Sequence, residues 1–295
     1  MFHKIQLSIY KFFRYAIFRR SKTIALKTYL FFKPIQKLDQ NKRKNIIVVS
    51  LTSYGKRTDS VHITIKSLFL QTDKPDVIIV NLAEDEFSRE TIPKNLKKLE
   101  KYGLVINFTK DIGSYKKLIP TLRLYPDAII ITVDDDVYYP SFMVKKLVQA
   151  YQAEPKKVHG YRGYRIPDLR STLVPYSEWD KCENRKCGND IMLTGVGAIL
   201  YWPGCFHADI QKEELFMELA PTADDLWFKA MTALNNIPSN CLNNKKFFRD
   251  NFTYTENSLV TPLKNKNVSL KNNDITLSKL INKYPELPIR LGNYS

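Results

Sequence analysis

The chain has 295 residues, 44% of them hydrophobic and 12% aromatic, with a formal net charge of +16. This composition excludes a disordered polypeptide and is enough for one large core or two modest ones. The charge suggests a nucleic-acid binder only until it is located: residues 1–44 hold twelve Lys/Arg against one acid, Asp39, so +11 of the +16 sits there. Nucleic acid is therefore not expected as a partner of the remaining chain.

The basic segment mixes Ile5, Ile9, Phe12, Phe13, Ile17 and Phe18 with Lys4, Lys11, Arg14, Arg19, Arg20, Lys22 and Lys27. The cations break every apolar run well short of a membrane span, and the segment lacks the apolar h-region and cleavage site of a secretory signal. Its composition predicts an interfacial helix on an anionic membrane surface. A helix packed on the protein body, or an arm for a partner or nucleic acid, stays open as an alternative. The expected location is cytoplasmic, peripheral on the inner face of the plasma membrane. Cys182, Cys187, Cys205 and Cys241 form no recognisable zinc pattern and read as free thiols in a reducing compartment, with a local disulfide or metal clip as the alternative.

A domain start is expected at residue 45, where "NIIVVSLTSYGKR" reads as a buried strand and a loop. "SVHITIKSLFLQT" predicts a helix with Val61, Ile65, Leu68 and Phe69 on one face. The strand "DVIIVNL", the helix "PKNLKKLEKYG", the strand "LVINFT", the helix "SYKKLIPTLRLYP" and the strand "DAIIITV" follow. This alternation argues for an α/β domain with a mostly parallel sheet, whose ligands bind beyond the carboxyl ends of the strands. Past residue 141 come the helix "SFMVKKLVQAYQAEP", the bent strand "VHGYRGYRI", a long loop, the Gly-containing apolar segment "IMLTGVGAILYWPG" and the helix "ADDLWFKAMTALNN". The division expected is a basic segment 1–44, a catalytic domain 45–250 and a tail 251–295 ending in the helix "ITLSKLINKY". No internal repeat is present.

Asp134, Asp135 and Asp136 directly follow the strand "DAIIITV". One Asp would serve as a turn or N-cap residue, whereas three adjacent carboxylates repel unless a counter-charge joins them. Hard oxygen ligands suit Mg²⁺ or Mn²⁺, so a divalent metal is the cofactor expected. Asp224 and Asp225 begin a helix, where acids also complement the dipole. Gly195 and Gly197 mark either a close approach of backbone or a strand bulge.

Taken together, the run "VVSLTSYGKRTDSVHITIKSLFLQTDKPDVIIVNL", the segments "IGSYKKLIPTLRLYPDAIIITVDDDVYYP" and "TGVGAILYWPG", and "TADDLWFKAM" resemble bacterial glycosyltransferases of the GT-A fold that build capsule or lipopolysaccharide glycans. The likeness covers roughly 46–240, and "NNDITLSKLINKY" is similar to the ends of such chains. It implies a GT-A, Rossmann-like sheet flanked by helices. It also implies transfer of a sugar, a hexose by expectation, from a nucleotide-sugar donor to a hydroxyl of a glycan acceptor, many of which grow on lipid carriers.

By that resemblance Asp134 and Asp136 are the ends of an Asp-x-Asp element. Asp136 is the direct metal ligand, Asp134 assists, and Asp134 and Asp135 lie near the ribose or a metal-bound water. Thr52, Tyr54 and Arg57 seat the base and ribose. Lys116 or Lys117 meets the diphosphate, or is a solvated helix residue. Gly195 and Gly197 face the donor sugar and acceptor. One of Asp224 and Asp225 faces the acceptor hydroxyl, with Asp225 the general base if the anomeric centre inverts. The chain departs from the pattern in having no His after His207 to serve as a further metal ligand, leaving a residue such as Asp274. Clustered Asp also builds metal-dependent phosphohydrolases and nucleases, and a non-enzymatic basic membrane- or nucleic-acid-binding protein is the third reading.

Overall fold

The β-branched runs pair side by side. In a computed structural model that describes residues 19–39, 43, 45–170, 174–182, 186–242, 245–259 and 272–292, the strands are β1 (Ile47–Thr52), β2 (Val77–Ala83), β3 (Leu104–Thr109), β4 (Ile129–Thr132), β5 (Val137–Tyr138) and β6 (Val158–Gly160). They continue with β7 (Gly163–Arg165), β8 (Lys186–Gly188), β9 (Ile191–Leu193), β10 (Ile199–Tyr201), β11 (Ser239–Cys241) and β12 (Thr253–Tyr254). Eight of them form one sheet in the order β3-β2-β1-β4-β10-β6-β11-β8. The first four are mutually parallel, as is the pair β6–β11, whereas β10 runs antiparallel between β4 and β6 and β8 antiparallel to β11. This is the Rossmann-like, GT-A-like arrangement expected from the sequence.

Helices cover both faces: α1 (residues 19–32), α2 (Thr58–Phe69), α3 (Lys94–Lys97), α4 (Ile119–Leu124), α5 (Met143–Ala153), α6 (Glu213–Leu219), α7 (Asp224–Leu234), α8 (Lys245–Asn251), α9 (Asn272–Lys283) and α10 (Leu287–Leu291). Strand side chains alternate between two cores. Val48, Ile130 and Ile199 pack with Trp227, Phe228 and Leu280 on one face, and Val49, Ile131 and Leu200 with Ile65, Leu68 and Leu147 on the other. The expected apolar stripe of α2, Val61, Ile65, Leu68 and Phe69, is buried.

Several boundaries differ from the sequence reading. "PKNLKKLEKYG" gives one turn of α-helix and then a 3₁₀ stretch that stops at Gly103, whose φ of 103° suits glycine. "SYKKLIPTLRLYP" splits at Leu118 into a 3₁₀ turn over Gly113–Lys117 and then α4. "VHGYRGYRI" is two strands, β6 in the main sheet and β7 paired with β9, and "IMLTGVGAILYW" is two strands joined by the turn Gly195–Gly197. The long loop after Arg170 carries β8 and a 3₁₀ turn over Tyr176–Glu178.

Residues 1–18, where most of the expected interfacial helix falls, lie outside the described residues. The part described, α1, packs on the body. Lys22 Nζ donates to the Asp250 carbonyl at 2.7 Å, Thr23 Oγ1 to the Tyr254 carbonyl at 3.2 Å, and Lys27 pairs with Glu256 at 2.6 Å. Leu30 is buried with Ile63 and Tyr138. Ile24, Tyr29, Phe31 and Phe32 stay exposed, Phe32 at 75%. No helix among the described residues is long and apolar enough to cross a membrane. All four cysteines are free thiols, and Cys182 lies against Cys241 rather than Cys187.

Lys229 sits inside α7 at 5% exposure, its Nζ donating to Ser239 Oγ at 3.2 Å, and burial lowers its pKa to about 7. Because the folded pKa lies below the unfolded one, the folded state binds fewer protons, and stability rises with pH between about 7 and 10.5. Lys229→Met is expected to melt higher than the parent at neutral pH, with the difference shrinking towards about pH 10. Equal melting at neutral pH, followed by calorimetry, would contradict the buried charge penalty.

Candidate functional site

Parallel pairing sets the carboxyl ends of β1, β4 and β6 at one level. Ser50 pairs with Thr132, Thr132 with Ile199 across the antiparallel contact, and Ile199 with Gly160. The loops leaving that edge therefore converge: Ser53–Arg57 after β1, Asp134–Asp136 after β4, Arg162 after β6 and Gly195–Gly197 before β10. The 3₁₀ turn over Gly113–Lys117 and the start of α7 join them through the contacts below. Beneath the edge lies a buried polar ladder. Ser50 Oγ and Thr121 Oγ1 are 2.7 Å apart, Asn81 Nδ2 donates to both, and Asn107 Nδ2 donates to Asn81 Oδ1 at 2.8 Å.

Lys117 is the hub. Its side chain is 7% exposed, and Nζ lies 2.8 Å from Asp224 Oδ2, 3.2 Å from Asp134 Oδ1 and 3.6 Å from Asp225 Oδ1. Burial alone would lower the ammonium pKa, but the three carboxylates outweigh it and hold the group well above its ordinary value. Ser114 Oγ donates to Asp224 Oδ1 at 2.8 Å, and the Gly195 N–H donates to Asp225 Oδ2 at 3.0 Å. A Cβ on Gly195 would sit 2.4 Å from Lys117 Nζ, 3.1 Å from Asp134 Oδ1 and 3.3 Å from Asp225 Oδ1. Glycine is thus required there because the ammonium occupies the space of a side chain. At Gly197 the crowding comes from Arg162, whose Cβ and N would both be 2.8 Å from an added Cβ.

Arg57 anchors the rest of the acid run. Its guanidinium pairs with Asp135 at 2.9 Å and Asp136 at 3.4 Å and lies over the Tyr54 ring at 5.2 Å. Ser53 Oγ donates to the other Asp135 oxygen at 2.7 Å, and Thr64 Oγ1 to the Asp135 carbonyl at 2.9 Å. Asp135 therefore points inward, 6% exposed, with both oxygens bound. The Asp134 N–H donates to Tyr139 Oη at 2.8 Å, and the Thr255 N–H to the Asp136 carbonyl at 2.8 Å. Five carboxylates thus share two cations. Burial, then Asp134 and Asp135, push the Asp136 carboxyl up to about 7 despite Arg57. Burial likewise raises Asp225 to about 6, with Asp224 and Asp134 adding to it and Lys117 opposing.

Asp134, Asp224, Asp225, Lys117 and Gly195 come together in one cluster, with Asp135, Asp136 and Arg57 joined to it through the acid run. Lys116 does not join them: it is buried and pairs with Asp111. Thr52 Oγ1 donates to the Asn81 carbonyl at 2.8 Å, whereas Tyr54 keeps 40% of its surface exposed at the rim. Asp274 accepts the Tyr176 N–H at 2.7 Å. Ser53, Ser114, Tyr139 and Arg162, which the sequence reading did not single out, complete the constellation. Ser53 lies inside "SLTSYGKR" between the marked Thr52 and Tyr54, and Ser114 inside "GSYKK", two residues before Lys116.

Among the described residues no three His, Cys, Asp or Glu side chains converge on a metal position. The donor set nevertheless fits a hard divalent ion, since Mg²⁺ typically takes one or two carboxylates and completes its shell with water and substrate oxygens. The excess of acid over base, expressed in the raised Asp136 carboxyl, favours added positive charge at Asp134 and Asp136.

No family model and no curated protein matches the chain. Among solved structures it is similar to the mannosyltransferase PcManGT from Pyrobaculum calidifontis in complex with GDP-Man and Mn²⁺, at 14% identity and a TM-score of 0.42 over 77% of this chain. The chain covers 65% of that enzyme's length. It is also similar to the CMP:2-keto-3-deoxy-manno-octonic acid synthetase complexed with CTP, at 11% identity and a TM-score of 0.39 over 67% of this chain and 88% of the other. Neither likeness assigns an activity.

A carboxyl raised from its ordinary value contributes stability that is complete below the unfolded pKa and lost as pH rises through the folded one, here between about 4 and 7. Asp136→Asn removes that loss. The variant is expected to melt with the parent near pH 4 and above it near pH 8, and Mn²⁺ is expected to raise the parent's midpoint more than the variant's. Coincident melting at both pH values would contradict the charge excess.

Proposed function

We propose that the protein is a metal-dependent glycosyltransferase that moves a sugar, a hexose in the first instance, from a nucleotide-sugar donor to a hydroxyl of a glycan acceptor in surface polysaccharide synthesis. The observation that carries this reading is the convergence of Lys117, Asp134, Asp224, Asp225 and Gly195 at the carboxyl edge of the sheet, next to the Arg57-anchored Asp135 and Asp136.

Under this reading the exposed Tyr54 face, backed by the Arg57 guanidinium, receives the base, and the Thr52 hydroxyl oxygen at the end of β1 accepts from the ribose. Asp135 holds Arg57 and so fixes the loop that carries Asp134 and Asp136. Asp136, with Asp134, would hold a divalent Mn²⁺ or Mg²⁺ ion, which supplies positive charge for the departing diphosphate. Lys117 keeps Asp134 and Asp224 in place and brings a fixed cation to the same point. Asp225 is suited to take the proton of the acceptor hydroxyl in an inverting displacement. Its side chain keeps 27% exposure, the Gly195 amide fixes one oxygen, and a carboxyl near 6 is mostly ionised at neutral pH yet more basic than an ordinary Asp. Gly195 and Gly197, by lacking side chains, let Lys117 and Arg162 approach the turn closely.

The test is thermal stability against UDP-, GDP-, CMP- and dTDP-sugars, each with and without Mn²⁺, because a ligand of the folded state raises its midpoint. A metal-dependent rise with one nucleotide class is expected, absent in Asp136→Ala, which should still fold. No rise with any donor would overturn the reading.

We also propose that the outward face of α1 rests on anionic lipid on the cytoplasmic side of the membrane. Exposed Ile24, Tyr29 and Phe32 stand on a segment that is strongly basic in sequence. Because these side chains are exposed, Ile24→Ser/Tyr29→Ser/Phe32→Ser should fold normally. The parent is expected to float with phosphatidylserine-containing vesicles but not neutral ones, and the variant to float poorly. Equal flotation of parent and variant would remove this face as the anchor.

A further inference from the structure

Arg162 is a cation that the proposed chemistry leaves unused. It follows β6, two strands beyond β4, and therefore lies on the opposite side of the acid run from Tyr54 and Arg57. Its side chain donates to two neutral oxygens, Thr194 Oγ1 at 3.1 Å and Tyr164 Oη at 2.8 Å, and its guanidinium lies 5.3 Å from the Tyr164 ring centre and 5.8 Å from that of Phe248. Among the described residues no carboxylate lies within ion-pair distance of it. This is unusual in a site where the other two cations, Lys117 and Arg57, contact three and two acids.

Two of the five guanidinium N–H donors are used, and the residue is half-buried, so the others remain available to a ligand. A half-buried guanidinium fixed by neutral partners is pre-organised for an oxyanion, and its fork geometry suits carboxylate and phosphate alike. Beside it stands an aromatic shelf, with Tyr176 5.4 Å from Tyr164 and 5.0 Å from Trp179, and Tyr176 only half-buried. The Tyr176 backbone is pinned by Asp274. Tyr164 links the two, since it accepts from Arg162 at 2.8 Å and its ring lies 5.4 Å from that of Tyr176.

We infer that Arg162 and the open face of Tyr176 form an acceptor subsite for a sugar that carries an oxyanion, a carboxylate or a phosphate. The inference rests on the glycosyltransferase reading for the word acceptor, and on its own geometry for the binding of an acidic sugar. The nucleoside end of the site is already furnished by Tyr54 and Arg57, the acid run lies in the middle, and the far end offers an aromatic face with an uncompensated cation. An acidic residue of a growing glycan matches that end in both shape and charge.

The test measures binding of glucuronic acid, glucose 6-phosphate, glucose and inorganic phosphate at millimolar concentration by saturation-transfer or phosphorus NMR, with the parent, Arg162→Lys and Arg162→Gln. Glucuronic acid, glucose 6-phosphate or both are expected to bind about tenfold or more tightly than glucose, the scale of a charge-assisted hydrogen bond, and the preferred one identifies the anion. Arg162→Gln should erase the preference and Arg162→Lys keep part of it, while both retain the parent's thermal midpoint shift with nucleotide. If Arg162→Gln melts much lower than the parent, Tyr176→Ala serves instead and should weaken charged sugars without weakening inorganic phosphate. Glucose binding as well as the charged sugars, absence of binding by any of them, or an unchanged preference in Arg162→Gln overturns the subsite. Inorganic phosphate binding as tightly as glucose 6-phosphate overturns the part played by Tyr176. A parent that prefers acidic sugars but responds to no nucleotide-sugar would overturn the transferase reading and leave the acidic-sugar site standing.

Discussion

One ammonium among three carboxylates governs the geometry of this site. Lys117 draws Asp134, Asp224 and Asp225 to within 3.6 Å of Nζ, although these residues come from the β4 loop and the start of α7 while the lysine comes from a 3₁₀ turn after β3. Opposite charges this close attract strongly where water is scarce, and removing one partner would leave buried charges unmatched. The pairing constrains its neighbours in turn. Gly195 must lack a Cβ, Ser114 must turn its hydroxyl to Asp224, and the chain entering β10 must pass close enough to give its amide to Asp225.

The sheet makes this convergence possible. Were β10 parallel, the turn before it would lie at the far edge. Running antiparallel between β4 and β6, it brings Gly195–Gly197 to the carboxyl edge, beside the acid loop on one flank and Arg162 on the other. The central pairing thus sets an acid-rich floor beneath two flanks of different chemistry. One flank is an arginine paired with two carboxylates, and the other is an arginine that, among the described residues, is held by neutral oxygens and aromatic rings. Charge remains unbalanced in two places, negative at the acid run in the middle and positive at Arg162 beyond it.

Much of the frame was legible in the sequence because it is local. The β-branched runs of β1, β2 and β4, the stripe of α2 and the acid run after β4 are periodic or contiguous, and the structure places them as the α/β reading expected. What escaped depends on distance through space. "GSYKK" contains two lysines of equal promise. Only the turn geometry sends Lys117 into the acids and Lys116 to Asp111. Arg162 stands in "GYRGYR" like any polar residue of a bent strand, and what distinguishes it, the absence of an acid beside it among the described residues, has no signature in one dimension. The splitting of "VHGYRGYRI" likewise follows from strand partners far away in the chain.

The N-terminal helix bears on the same site through an unbroken chain of contacts. Lys22, Thr23 and Lys27 of α1 hold Asp250, Tyr254 and Glu256. Thr253 and Tyr254 pair with Tyr138 and Val137, the residues directly after Asp136, and the Thr255 amide holds the Asp136 carbonyl. Leu30 closes the contact from the other side by packing on Tyr138 and Ile63. Three short links therefore join an exposed aromatic face to Asp136, whose carboxyl burial and its acidic neighbours push up to about 7. The helix holds β12, and β12 fixes the backbone that aims Asp136. The N-terminal helix and the acid run are in this sense one mechanical unit, built from a segment whose charge first suggested an unrelated appendage.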